Sequence, residues 1–173
     1  MPTTRYNIAL LATHPEPYTQ VAQDHFASCA HGYLLGKNSL PHVTVCQFYA
    51  EDSSLGPLVE ALKKADQCPT VQLTGLEFSK NKKEANVWGT SLSVARMPDL
   101  MALHHFVVQL LQRHQLPPLN SIGDLYRPHL TLARIRGLNV QNFSSDILQE
   151  AAVQLVLGES DEEGQLIRVM HQI

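Results

Sequence analysis

Two five-residue stretches of the chain are nearly the same stretch written twice. Residues 41–45 read Pro-His-Val-Thr-Val, and residues 128–132 read Pro-His-Leu-Thr-Leu. Their histidines, His42 and His129, lie half a chain length apart. With only 10 prolines and 9 histidines in 173 residues, two chance occurrences of the pattern Pro, His, apolar, Thr, apolar are not expected. An internal duplication is the simplest explanation.

The rest of the chain has the composition of an ordinary globular protein. Its length of 173 residues suits one domain. A net charge of −3 argues against a protein that coats nucleic acid with a basic face, but it leaves room for a phosphate-sized site. No membrane span or leader is visible, and three cysteines without metal-ligand spacing fit a reducing compartment. We therefore expect a cytoplasmic monomer with no membrane partner.

Strands and helices are predicted to alternate along both halves of the chain. Apolar runs, alternation and turn residues predict strands at 6–12, 42–49, 71–78, 87–94, 129–135, 153–157 and 166–171. Helices are expected to start at Pro15–Pro17, at Ser53 or Ser54, and at Pro98, with a short one at 145–150 and loops at 32–41 and 119–128. The order indicates an α+β domain, 1–173, in which the repeats 1–85 and 86–173 form two pseudo-symmetric lobes. Each lobe would be antiparallel-rich sheet with outer helices, around a central cleft.

Strand alternation assigns a face to each motif residue. His42 and Thr44 project together while Val43 and Val45 face the core, and His129 and Thr131 do the same in the second repeat. Two imidazoles in one cleft supply a general base and a general acid near neutral pH. Two hydroxyls can hold an oxyanion. The chemistry indicated is phosphoryl transfer without a metal.

At these residues the sequence resembles the two-histidine (2H) phosphoesterase superfamily, and most closely its branch of 2′-5′ RNA ligases and 2′,3′-cyclic phosphodiesterases. The signature is a pair of His-x-Thr/Ser-x motifs, one per lobe, here His42-Val43-Thr44-Val45 and His129-Leu130-Thr131-Leu132. The second continues as Ala133-Arg134, as in the ligase-like branch. The resemblance implies hydrolysis of a 2′,3′-cyclic phosphate to a monoester without a cofactor or metal, and in some members reversible 2′-5′ joining of RNA ends. It implies His42 and His129 as the acid–base pair, with His129 as base and His42 as acid, and Thr44 and Thr131 as phosphate ligands.

Further candidates for substrate contacts lie near the motifs. Five residues after each histidine the repeats differ, with Gln47 in the first and Arg134 in the second. An ideal strand would point Arg134 away from the cleft, whereas a bulge could turn it back, and a structural salt bridge is an equal alternative. Loop residues that could stack on a base or contact phosphate are Tyr33, Lys37, Tyr126 and Arg127. The seven other histidines are expected at the surface or in packing.

Two other classes of function stay open. The chain could be an inactive module that binds a nucleotide or RNA end, although both histidines and both threonines are intact. It could also be a structural domain whose duplication is only architectural. The substrate, an RNA end or a small cyclic nucleotide, is not fixed by the sequence.

Overall fold

The computed structural model describes residues 3–37, 39–65, 68–138 and 143–173. Within these ranges the strands are β1 Thr4–Ala12, β2 Ala30–Leu34, β3 His42–Ala50, β4 Val71–Lys80, β5 Val87–Val94, β6 His129–Arg136, β7 Glu150–Ala151, β8 Val153–Ser160 and β9 Leu166–Gln172. The α-helices are α1 Glu16–Phe26, α2 Leu55–Leu62 and α3 Pro98–Arg113. Single 3₁₀ turns lie at Asp52–Ser54, Gly123–Leu125 and Ser145–Ile147. The α+β class with an antiparallel-rich sheet is confirmed.

Three local predictions are wrong. The first helix, which was expected to continue to Gly32, ends at Phe26, and the expected loop 32–41 contains part of β2, because Ala30 and Leu34 pair with β6. The expected helix at 145–150 is one 3₁₀ turn, after which Glu150 joins β7 against β4. Ser54 precedes α2 without capping it, since its hydroxyl donates to the Glu51 carbonyl (2.7 Å). In the first two cases strand pairing overrides the local signal.

The strands pair in the order β7-β4-β5-β6-β3-β1-β8-β9, and β2 adds to β6. Each motif strand pairs with the first strand of its own repeat, β3 with β1 and β6 with β5. Those first strands also pair with strands from the other half of the chain. β1 pairs with β8, and β5 pairs with β4, the last strand before the repeat boundary. Strands 71–80 and 153–160 thus lie beside the first strand of the opposite repeat, one strand away from its motif strand. Each half of this one sheet therefore contains strands from both repeats, and the motif strands meet at its centre through Val43 and Leu130.

The helices and the apolar residues of the motifs form the core under this sheet. Helix α1 packs on β6, α3 packs on β3, and α2 packs on α3. The predicted inward residues Val43, Val45, Leu130 and Leu132 are all buried. The alternation therefore leaves the histidines and threonines on the opposite face of the central strands. No helix within the described ranges is long and apolar enough to cross a membrane.

Candidate active site

One cavity of about 180 Å³ brings the four repeated motif residues together. It is lined by His42 and Thr44 from β3 and by His129 and Thr131 from β6. The two strands are adjacent and antiparallel, so the same strand face carries both pairs towards one centre. We call this space the central cavity. Its other walls are Gln47, Asn120, Glu163, Gly164 and Gln165.

Both histidines are held by the same backbone contact. His42 Nδ1 lies 2.7 Å from the Leu40 carbonyl oxygen, and His129 Nδ1 lies 2.8 Å from the Arg127 carbonyl oxygen, in each case two residues earlier. A carbonyl oxygen only accepts, so each Nδ1 carries the proton and donates it. In the neutral ring Nε2 is then the unprotonated nitrogen. The pseudo-symmetry therefore fixes the tautomer as well as the position of both rings.

The two imidazoles differ in burial, and this separates their chemistry. His42 is only 6% exposed, whereas His129 is partly exposed. Burial, assisted by the neighbouring His129, lowers the pKa of His42 to about 4, against the opposing effects of the Leu40 carbonyl and Asp161. Desolvation penalises the charged form of a histidine. In the substrate-free protein at neutral pH, His42 is therefore a neutral proton acceptor.

Two amide side chains hold the hydroxyl oxygen of Thr44. Asn7 Nδ2 donates to Thr44 Oγ1 at 3.0 Å, and Gln47 Nε2 lies 3.4 Å from the same oxygen. Because both amides donate to this oxygen, the hydroxyl proton stays free to be donated to a bound anion. Asn7 is fully buried in β1 and was missed in the sequence. Its signal is a lone amide within the apolar run 6–12.

A β-bulge follows the threonine in both repeats. On β3 the pairing shifts from Cys46 opposite Ile8 to Thr44 opposite Ala9, which leaves Val45 as the extra residue. On β6 it shifts from Ala133 opposite Thr90 to Thr131 opposite Ser91, which leaves Leu132 as the extra residue. An extra residue reverses the face on which the following side chains lie. The bulges thus occupy equivalent positions in the two motifs.

These bulges turn the fifth residue after each histidine back towards the cleft. Gln47 lines the central cavity, and Arg134 lines an adjoining cavity together with His129 and Thr131. Arg134 also forms an ion pair with Glu163. Both alternatives considered for Arg134, a bulge-directed cleft residue and a salt-bridged residue, therefore hold together.

The other predicted contact residues are placed differently. Tyr126 is 3% exposed, its hydroxyl donates to the Thr44 carbonyl (2.7 Å), and one ring face is stacked on His104 with the centroids 3.8 Å apart. Tyr33 is also buried, and its hydroxyl is 2.6 Å from Ser39 Oγ. Arg127 is exposed beside His129. Lys37 lines a different groove, together with residues of α1, and no motif residue lines that groove.

His104 is the most constrained of the histidines assigned to packing. It is fully buried in α3, its Nδ1 donates to the Val45 carbonyl (3.0 Å), and its Nε2 accepts from Gly123 N (3.2 Å). Burial lowers its pKa, so the ring is neutral and both nitrogens are satisfied. His104 and Tyr126 thus hold the carbonyls of Thr44 and Val45 at the first bulge. The packing role predicted for His104 fits this geometry.

The turn between β8 and β9 is the main feature that the sequence did not place at the site. Gly164 has φ +88°, and its carbonyl accepts from Gln47 Nε2 at 2.6 Å. The positive φ favours glycine, and a Cβ at Gly164 would lie 2.6 Å from Gln47 Oε1 and would displace this amide. The Asp-Glu-Glu-Gly sequence indicates a turn, but nothing in it says that the turn lies over the cleft.

Two further cavities adjoin the central one, and both are lined by His129. The apolar flank has a volume of about 210 Å³ and is lined by residues including Leu125 and Tyr126. The polar flank has a volume of about 220 Å³ and is lined by residues including Lys80, Asn81 and Arg134. Each is smaller than the roughly 300–1,000 Å³ of a typical small-molecule site. A ligand of nucleotide size would therefore occupy the central cavity and at least one flank.

The architecture is similar to that of solved phosphoesterase structures. A solved phosphoesterase structure matches with a TM-score of 0.64 and 15% identity, over 99% of this chain and 98% of the other. Escherichia coli LigT complexed with 3′-AMP matches with a TM-score of 0.62 and 18% identity, over 99% of this chain and 96% of the other. E. coli LigT complexed with phosphate gives a TM-score of 0.60 at 16% identity, over 100% and 98% of the chains.

No protein-family model matches the chain, and no curated protein matches it. At this level of identity the likeness to the solved structures concerns the fold. The chain shares its fold with these phosphoesterase and LigT structures, so the expected resemblance is confirmed at the level of the fold.

Proposed function

We propose that this protein is a phosphodiesterase that hydrolyses a 2′,3′-cyclic phosphate, on an RNA end or a nucleotide, to a monoester. The observation that carries the proposal is the central cavity, which is lined by two imidazoles and two hydroxyls from equivalent strand positions. A tetrahedral phosphate with several acceptor oxygens matches this arrangement. That E. coli LigT has been solved with phosphate and with 3′-AMP supports a site of this kind.

In the proposed reaction one imidazole accepts a proton from the attacking water while the other protonates the leaving ribose oxygen. Nε2 is the nitrogen available for both transfers, because Nδ1 of each ring is bonded to the backbone. The Thr44 hydroxyl would donate its proton to a phosphate oxygen while its own oxygen accepts from Asn7 Nδ2. Thr131 would contact the phosphate from the other repeat. The same proton transfers, with the 5′-hydroxyl of a second strand in place of water and the ribose 3′-oxygen as the leaving group, would give 2′-5′ ligation.

The roles of the two histidines follow from their burial. The resemblance implied His129 as base and His42 as acid. The low pKa of His42 favours the opposite assignment for the substrate-free protein, because a neutral ring must accept a proton before it can donate one. We therefore propose His42 as the base and the more exposed His129 as the acid.

The test is a product assay on an RNA that ends in a 2′,3′-cyclic phosphate, run with excess chelator. Separation of 2′- from 3′-phosphate ends identifies which ribose oxygen leaves, and a labelled 5′-hydroxyl acceptor strand reports ligation. Turnover that needs no nucleoside triphosphate and that is lost in His42→Ala and His129→Ala supports the proposal. Turnover retained in both variants refutes it.

The second candidate function, a binding module, makes a separate prediction. It requires tight binding of nucleotides at the central cavity without release of product. Stoichiometric binding of a cyclic nucleotide that is recovered chemically unchanged after long incubation would favour the module over the enzyme.

A further inference from the structure

The turn between β8 and β9 contacts Gln47 and Arg134, the residues five positions after the histidine of each motif. Glu163 forms an ion pair with Arg134, and the next residue, Gly164, accepts a hydrogen bond from Gln47 through its carbonyl oxygen (2.6 Å). One motif therefore meets a charged carboxylate at this position and the other meets a neutral carbonyl. The charged Arg134 thus meets a charged partner, and the neutral Gln47 meets a neutral one.

The turn is held in this place by its own bonds and by β1. Asp161 Oδ1 accepts from the amides of Glu163 (3.0 Å) and Gln165 (2.8 Å), and Asp161 O accepts from the Gly164 amide (3.0 Å). Arg5 Nη1 donates to the Glu162 carbonyl, and Arg5 Nη2 donates to Gln47 Oε1 (2.6 Å). Glu163 is thus carried on a turn that is fixed to the first motif strand, and it is not on a free surface loop.

The ion pair lies where the central cavity adjoins the polar flank. Glu163 lines the central cavity with both histidines, while Arg134 lines the polar flank together with Lys80. An anion bound between the histidines would be attracted by Arg134 and repelled by Glu163. The side chains are 27% and 52% exposed, so the repulsion is partly screened by water.

We propose that Glu163 makes the site selective for phosphodiester monoanions over phosphomonoester dianions. The inference deepens the proposed function and rests on it: the substrate is a diester with one negative charge, and the product is a monoester that is largely dianionic at neutral pH, since its second pKa is about 6. Arg134 alone would bind the product more tightly than the substrate. A fixed carboxylate beside it repels the dianion about twice as strongly as the monoanion, because Coulomb energy scales with charge. Glu163 therefore promotes product release.

The experiment compares the affinities of a nucleoside 3′-monophosphate and the matching 2′,3′-cyclic phosphate. Calorimetry on the monophosphate gives its Kd, and competition or short-time binding gives the value for the cyclic compound. In Glu163→Gln the monophosphate should bind more tightly, and the ratio of the two affinities should shift towards it by about fivefold or more, taking the water-screened end of the Coulomb range. Product inhibition of turnover should increase by a similar factor.

Two variants serve as controls. Glu162→Gln removes the same charge from the neighbouring position on the same turn, and it should leave the ratio near the wild-type value. Glu163→Asp keeps the charge with a shorter side chain, and it should retain most of the wild-type preference. An unchanged ratio in Glu163→Gln overturns the proposal, and so does an equal shift in Glu162→Gln, which would reflect general surface charge.

The binding arm separates this proposal from the proposed function. A wild-type protein that binds both nucleotides with the Glu163-dependent preference but turns neither over would refute the hydrolase assignment and support the selectivity. A protein that turns the cyclic phosphate over but shows no Glu163-dependent preference would support the hydrolase and overturn the selectivity. Failure to bind either nucleotide would overturn both.

Discussion

The burial of His42 predicts which histidine is the base. A pKa of about 4 means that, at pH 7, roughly one molecule in a thousand of the free protein has His42 protonated. Using the protonated form would thus cost about 4 kcal/mol at that pH. As a base, the neutral ring is present in full. His42 should therefore accept the proton from water, and His129 should donate to the leaving oxygen.

The perturbation that tests this is a change of leaving group in two alanine variants. With a cyclic nucleotide, both His42→Ala and His129→Ala should lose roughly 10²- to 10⁴-fold in rate, the usual value of a general acid or base. With a nitrophenyl phosphodiester, whose leaving group needs no proton, His129→Ala should recover most of the lost rate. His42→Ala should not, because attack by water still lacks its base.

Steady-state rates on the two substrates for wild type and both variants are the measurement, with circular dichroism to show that the variants fold. Proton NMR of the His42 ring in the free protein provides an independent check of its pKa. Rescue of His42→Ala by the nitrophenyl substrate, with no rescue of His129→Ala, would refute the reasoning. A His42 ring that titrates near 6.5 would remove its basis.

Four other results are expected. Folding lowers the pKa of His42 below its unfolded value of about 6.5, so the unfolded chain binds this proton more readily. The free energy of unfolding should therefore fall by up to roughly 3 kcal/mol as the pH drops from 6.5 to 4. Urea unfolding of wild type and His42→Gln at both pH values checks this, and an equal fall in the two proteins would contradict it. Thr44→Ala should lose roughly 10- to 100-fold, partly in KM, for one hydrogen bond to an anion, and a loss as large as that of His42→Ala would contradict the assigned role. Tyr126→Phe removes the hydroxyl that donates to the Thr44 carbonyl, and should cost about 1 kcal/mol in thermal unfolding and lower kcat, whereas unchanged kcat would separate the bulge from catalysis. Activity should persist in excess chelator, and a loss that one divalent ion restores would refute the metal-free mechanism.

Much of the fold could be predicted because the repeat carries strong local signals. The pattern Pro-His-x-Thr-x marks the start of both central strands, and the alternation of Val43 and Leu130 with the polar residues gives the buried face. Strand and helix starts at prolines and β-branched runs follow from backbone preferences that act within a few residues. These features need no knowledge of distant contacts, and the structure contains them where expected.

What the sequence could not give depends on pairing between distant segments. β2 exists because Ala30 and Leu34 find partners on β6, and its own residues resemble a loop. The position of the 161–165 turn over the cleft depends on β8 pairing with β1, which brings residues from opposite ends of the chain together. Local propensity carries no information about such contacts.

The two bulges explain why strict strand alternation predicts the wrong face for Arg134 and for Gln47, the residues five positions after the histidines. A strict alternation places Arg134 with Leu130 and Leu132, in the core, where an unpaired guanidinium would be costly. An extra residue at Leu132, and at Val45 in the other repeat, lets two consecutive side chains be buried and returns the next polar residue to the cleft. The sequence indicates the bulges through the pairs Val45-Cys46 and Leu132-Ala133, in which two apolar residues directly follow the threonine. Both repeats have the same doublet and the same bulge, so Gln47 and Arg134 place different charges at equivalent positions of the same local backbone.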